Sequence, residues 1–124
     1  MPNLKILSMN ANSITGKLNL IKCYAETYNP DLVCICKTKI SDTFDDNELL
    51  GDKFTLWRKD RAQGAGGVLI AMKNESNAKV LDSKSGPGEC VIIKLQIHDK
   101  IVFNVVTFYR PPSEYELDNS KRDY

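Results

Sequence analysis

The sequence predicts an α/β domain built on a mixed β-sheet, with a βαβ start and a later antiparallel hairpin. Two observations carry this. Residues 4–10 and 32–36 are short apolar runs flanking a segment whose apolar residues recur every three or four positions. Residues 90–98 and 101–109 are alternating or apolar runs rich in Val, Ile and Phe, joined by Asp99-Lys100.

The first strand, residues 4–10, is short, apolar and followed by turn formers. In the helix after it, Ile14, Leu18, Ile21, Ala25 and Tyr28 share one face of a 3.6-residue period. Ser13 or Thr15 is expected to cap its start, because a side-chain oxygen accepts an orphan N–H. Asn29-Pro30 stops it, since the residue before proline is pushed out of the right-handed helical region. Residues 32–36 form the second strand. Strand, helix and strand in this span define parallel strands with a right-handed crossover.

The pattern then changes. Residues 41–52 are an acidic connection with one helical turn near 47–50. Residues 54–58, 67–72 and 78–81 read as short strands separated by Gly, Asn and Asp. Along 90–98, Val91, Ile93, Leu95 and Ile97 share one face, and Lys94, Gln96 and His98 share the other. Residues 101–109 are apolar on both faces, which predicts a hairpin entering a buried sheet. Arg110-Pro111-Pro112 ends that strand, and 113–124 read as the start of another helix. The sum is a single sheet of six or seven strands with one helix on one face. Such a sheet needs cover on both faces, so the fold is expected to be incomplete.

A chain of 124 residues makes one small domain. Its 42% hydrophobic content is ordinary for a globular protein. The net charge of +1, from 17 basic and 16 acidic residues, gives nucleic-acid binding no support from charge alone. No run has the length of a membrane span and the start lacks a signal-peptide pattern, so no membrane partner and an intracellular location, nuclear or cytoplasmic, are expected. Cys23, Cys34, Cys36 and Cys90 are expected as reduced thiols packed in the core. Cys34 and Cys36 form a C-x-C, and no second cluster completes a zinc site.

In an open α/β sheet, ligands collect beyond the carboxyl ends of the parallel strands. Asn10 ends the first strand, Lys37 follows the second, and Tyr109 ends the last. Each also has a plainer reading: a turn residue, a surface cation and a core aromatic. Arg58-Lys59-Asp60-Arg61, followed by Gly64-Ala65-Gly66-Gly67, is a basic loop entering a glycine-rich turn. It suits a phosphate backbone, or simply a solvated hairpin. It is no P-loop, since no Gly-Lys-Ser/Thr follows. The single histidine, His98, sits by the hairpin turn, away from this mouth.

The runs Leu4-Lys5-Ile6-Leu7-Ser8-Met9-Asn10-Ala11-Asn12-Ser13 and Pro30-Asp31-Leu32-Val33-Cys34-Ile35-Cys36-Lys37-Thr38-Lys39-Ile40 resemble the opening of the endonuclease/exonuclease/phosphatase superfamily, the deoxyribonuclease-I-like proteins. Trp57-Arg58-Lys59-Asp60-Arg61 with Gly66-Gly67-Val68-Leu69-Ile70-Ala71, and Val105-Val106-Thr107-Phe108-Tyr109-Arg110-Pro111-Pro112-Ser113, narrow the resemblance. They are similar to the endonuclease domain of non-LTR retrotransposons of the jockey and chicken-repeat type. The resemblance covers essentially the whole chain.

It implies half of a four-layer α/β sandwich, with 1–112 as the N-terminal part of the domain and 113–124 as the truncated start of the next helix. It implies a Mg²⁺-dependent hydrolase that nicks DNA. Asn10 matches an asparagine that helps hold metal and scissile phosphate, and Tyr109 a tyrosine that hydrogen-bonds the phosphate. Asn12 matches a loop position facing DNA. Arg58, Arg61 and Arg110 are further nucleic-acid contact candidates. Where the family has a metal-binding glutamate in a Glu-Thr pair, this chain has Lys37-Thr38. The family's Gly-Asp-x-Asn motif, later aspartates and histidine have no counterpart here. The expectation is a catalytically inactive endonuclease fragment that binds no Mg²⁺ tightly. The alternative is a non-catalytic remnant binding nucleic acid or protein, and a third reading is a thiol or metal protein using Cys34 and Cys36. If the missing half supplies the opposing sheet, one sheet face is left uncovered and self-association follows.

Overall fold

The computed structural model describes residues 4–40, 44–60, 66–86, 88–97 and 101–109. Strands β1 (Ile6–Asn10) and β2 (Leu32–Cys36) run parallel, with Ile6 opposite Leu32 and Asn10 opposite Cys36. Between them lie a single 3-10 turn, Thr15–Lys17, and helix α1 (Leu18–Tyr28). The apolar stripe explains the helix: Ile14 and Ile21 are fully buried. Its start differs from the expectation. Neither Ser13 nor Thr15 caps it; their hydroxyls meet each other at 3.2 Å, while Lys17 Nζ donates to the Ala11 carbonyl. Its end is as expected. Asn29 adopts the left-handed conformation (φ 49°) and its N–H donates to Ala25 O. Tyr28, expected on the buried face, is 59% exposed. Its ring lies against Tyr24, with ring centres 6.1 Å apart, rather than in the core.

Helix α2 (Asp46–Leu50) follows, its first turn closed by the Asp45 N–H donating to Glu48 Oε1 at 2.8 Å. Leu49 and Leu50 are buried beneath it. Strands β3 (Phe54–Lys59) and β4 (Val68–Lys73) are antiparallel, and β4 also pairs antiparallel with β2. The first sheet therefore has the order β1-β2-β4-β3. Strands β5 (Lys79–Ser85), β6 (Glu89–Ile97) and β7 (Ile101–Tyr109) form a separate antiparallel sheet in that order.

The seven strands thus make two sheets, not one. After β4 the chain turns at Lys73–Ser76, where the Ser76 N–H donates to Lys73 O, and crosses to the other layer through buried Ala78. Strand periodicity fixes which face a residue lies on, not which strand lies beside it, so this crossing left no mark in the pattern.

The result is three layers: helices, mixed sheet, antiparallel sheet. Val33, Ile35, Leu69 and Ala71 pack toward Ile14, Ile21, Leu49 and Leu50. Leu32, Cys34, Val68 and Ile70 pack toward Val91, Ile93 and Leu95. Strands β2 and β4 are therefore buried on both faces, as their unbroken apolar runs require. The inner face expected to lie uncovered is covered by the chain's own second sheet.

What stays open is a margin. β7 packs over β2 and β4, so β1 reaches past it. The step leaves a notch of about 290 Å³ lined by Ile6, Ser8, Cys36, Val105 and Phe108, among others. β7 is not buried on both faces as expected: Phe103, Val105, Thr107 and Tyr109 point inward, while Val102, Val106 and Phe108 are exposed at 45%, 49% and 67%. All four cysteines are free, and only Cys34 is buried; Cys23, expected in the core, is exposed. Among the described residues no helix is long and apolar enough to cross a membrane.

Candidate functional site

One end of the sandwich collects the chemistry-bearing residues. Across the first sheet, register aligns Asn10 with Cys36, Cys36 with Val68, and Val68 with Lys59. Asn10 is exposed and, by strand alternation, shares the inter-sheet side with Ile6 and Ser8. Lys37 follows β2 directly, and its Nζ lies 5.6 Å from the centre of the Tyr109 ring. The structure therefore brings Asn10, Lys37 and Tyr109 to the same end.

The backbone here is unusual. Asn12 (φ 47°), Ser13 (φ 90°), Lys37 (φ 56°) and Lys39 (φ 55°) all have positive φ. Side chains with a Cβ visit that region at an energetic cost, so the surroundings must hold them there. They do. Ala11 N–H donates to Cys36 O, Ser13 N–H to Lys37 O and Ile14 N–H to Thr38 O, each at 2.9 Å. On the other side Thr38 N–H donates to Gly67 O and Lys39 N–H to Gly66 O. Residues 37–39 are thus clamped between the β1–α1 loop and the start of β4. Gly67 is required twice: its φ is 93°, and a Cβ there would collide with Thr38 Oγ1. Thr38 is fully buried and its hydroxyl has no hydrogen-bond partner among the described residues.

Glu89 also belongs to this end, and the sequence reading missed it. It opens β6 opposite Tyr109, and Oε1 accepts the Gly67 N–H at 2.5 Å. A two-residue connection at Asp99-Lys100, as read from the sequence, would set Cys90 against Tyr109; the observed register, Ile97 opposite Ile101, shifts the pairing by one and sets Glu89 there instead.

Arg58, expected as a nucleic-acid contact, has a different set of partners. Its side chain is 13% exposed and pairs with Asp60 at 2.8 Å and Asp46 at 3.0 Å. Those carboxylates hold the guanidinium proton more tightly than usual despite partial burial, which acts the other way. Asn12 is exposed in its loop. Arg61, Arg110, His98 and the segment 113–124 lie outside the described residues.

Burial pushes the Cys34 and Cys36 thiols above the ordinary value, opposed at Cys34 by a hydrogen bond with Thr107 and at Cys36 by a backbone hydrogen bond and then by the Lys37 charge. Among the described residues no three His, Cys, Asp or Glu side chains converge as a metal site. A Mg²⁺ ion takes oxygen ligands, chiefly carboxylates and water. At the end of β2 the chain offers an ammonium, and the nearby Glu89 Oε1 is engaged by Gly67. These residues do not fit the ion.

No protein-family profile matches the chain, and no curated protein does. Solved structures do. An AP endonuclease of Leishmania major, LMAP, superposes with a TM-score of 0.70 at 19% identity, over 94% of this chain and 45% of that one. The Xenopus laevis APE2 catalytic domain gives 0.72 at 18% identity, over 95% of this chain and 49% of that one. The chain shares with these structures part of a deoxyribonuclease-I-like α/β fold. Among the structures sharing it is the endonuclease domain of TRAS1, a telomere-specific non-LTR retrotransposon. It gives a TM-score of 0.61 at 16% identity, over 98% of this chain and 54% of that one. The chain spans about half the length of the solved structures it matches.

Proposed function

We propose that this chain is part of an endonuclease domain of the non-LTR retrotransposon type, whose parent activity nicks DNA with Mg²⁺, and that in this chain the nicking activity is lost. The single observation carrying the loss is Lys37, with its ammonium against Tyr109 where the resemblance puts a metal-binding glutamate. An ammonium cannot ligate Mg²⁺ and raises the energy of any divalent cation beside it. The likeness to nuclease folds supports the parentage, and the convergence of Asn10 and Tyr109 on this end supports the location. Arg58, held by two aspartates, adds nothing to DNA contact in this reading.

A supercoiled-plasmid nicking assay tests it. The chain should not nick with Mg²⁺ or Mn²⁺. Lys37→Glu alone should stay inactive, and a fusion that adds the C-terminal half of a related enzyme but keeps Lys37 should remain strongly impaired. Fusion and Lys37→Glu together should recover nicking. EDTA-sensitive nicking by the unmodified chain, surviving rigorous removal of contaminating nuclease, overturns the reading.

A further inference from the structure

We propose that the Lys37 ammonium, held against the Tyr109 ring beside Asn10, is a metal-free anchor for a phosphodiester group of DNA. The inference rests on reading this end as a former endonuclease site, and it turns the misfit with Mg²⁺ into a positive property.

The charge balance carries the first step. A glutamate with a bound Mg²⁺ presents a formal charge of +1 to a phosphate. A lysine in the same place also presents +1. The exchange keeps the attraction that holds the anion and removes the Lewis acid that activates water. Binding and chemistry are thereby separated.

Position carries the second step. Most surface lysines sweep a wide volume, but the base of this one is fixed. The Lys37 carbonyl accepts the Ser13 N–H, Cys36 O accepts the Ala11 N–H, and the next residue, Thr38, donates to Gly67 O. The left-handed backbone at φ 56° sets the direction in which the side chain leaves. The Tyr109 ring then holds the ammonium at 5.6 Å from its centre, a contact that leaves N–H groups free to donate. Among the described residues no carboxylate lies within ion-pair distance of it; the ion pairs there are those of Arg58.

The neighbours carry the third. Asn10 ends β1 in register with Cys36, one residue before Lys37, and is exposed. Its amide and the Tyr109 hydroxyl add neutral donors at the same end of the sandwich as the cation. That set suits a singly charged phosphodiester.

The test is fluorescence anisotropy of a labelled DNA duplex in EDTA, across a salt series, with circular dichroism melts confirming that each variant is folded. The unmodified chain should bind in EDTA, and added Mg²⁺ should change its affinity less than two-fold. Lys37→Gln should weaken binding several-fold at low salt and reduce the slope of log K against log salt by about one. Lys37→Arg, which keeps the charge, should stay within a few-fold. Equal affinity and slope for Lys37→Gln and the unmodified chain overturns the anchor. So does no binding in EDTA, or displacement of DNA by low-millimolar inorganic phosphate at matched ionic strength, which would make the free anion the ligand. Lys37→Glu separates the two readings. Mg²⁺-dependent recovery of its DNA binding supports the former metal site whether or not the anchor holds. Absence of recovery removes that parentage and leaves the anchor to be decided by the Lys37→Gln slope.

Discussion

The Gly67 amide donates to the Glu89 carboxylate at 2.5 Å, tying the two sheets together at the end where Lys37 and Tyr109 meet. Gly67 leads into β4 and Glu89 opens β6, so this bond spans the layers. Its geometry depends on a φ of 93° that only glycine adopts freely.

Gly67→Ala should therefore destabilise the fold by about 1–3 kcal/mol, the usual range for a side chain forced into a strained backbone region, and more if Thr38 cannot yield. Thr38→Ala removes the colliding hydroxyl, so the double variant should recover part of that loss. Urea midpoints of the four proteins measure both terms as a double-mutant cycle. Strict additivity would show that the Thr38 contact is not what Gly67 accommodates.

Arg58→Ala should lower stability, because it leaves the Asp60 carboxylate, 10% exposed, without its partner. Asp46 is 51% exposed and adds little, as exposed pairs generally do. We expect a net loss of about 1–3 kcal/mol, the desolvation penalty of an unpaired buried polar group. The salt slope of DNA binding should be unchanged in the folded variant. A reduced slope would return Arg58 to the list of phosphate contacts.

The cysteines should separate by reactivity. Exposed Cys23 should react with a thiol reagent at neutral pH, and buried Cys34 only after unfolding. Burial raises the Cys34 and Cys36 thiols in the folded state, so the unfolded chain loses these protons first. Their contribution is fully present below the unfolded thiol value of about 8.5 and is lost as pH rises toward the folded value. A Cys34→Val variant should lose less stability than the unmodified chain between neutral and alkaline pH. Parallel pH dependences would contradict this.

Self-association should run through β7. Phe108, Val106 and Val102 face outward from a strand whose second edge lies open among the described residues. Such edges template further pairing. Phe108→Lys and Val106→Lys together should shift the chain toward monomer in sedimentation at micromolar concentration. An unmodified chain already monomeric at hundreds of micromolar would contradict the prediction.

Much of the fold was legible because periodicity reports burial directly. β2 and β7 lie where the apolar runs put them, and Val91, Ile93 and Leu95 face one core. The division into two sheets was not legible, since Ala78 and the turn before it look like any other loop. The start of α1 was misread because Ser13 and Thr15 bond to each other rather than to the helix. At the site, Asn10, Lys37 and Tyr109 followed from strand ends. Glu89 was missed because the hairpin register is one residue away from the one a two-residue turn implies, and the αL backbone of Lys37 and Lys39 had no sequence cue, since neither is glycine or asparagine.

The overhang of β1 past β7 makes this margin a lap joint. A polypeptide seated in it would meet backbone groups along the β7 edge and side chains from Ile6 and Ser8 overhead at the same time. The backbone alone would accept any sequence in several alignments. The overhead row would not, because sliding a strand by one residue turns every inward side chain outward. The step would therefore disfavour one-residue slips of any strand added at this edge.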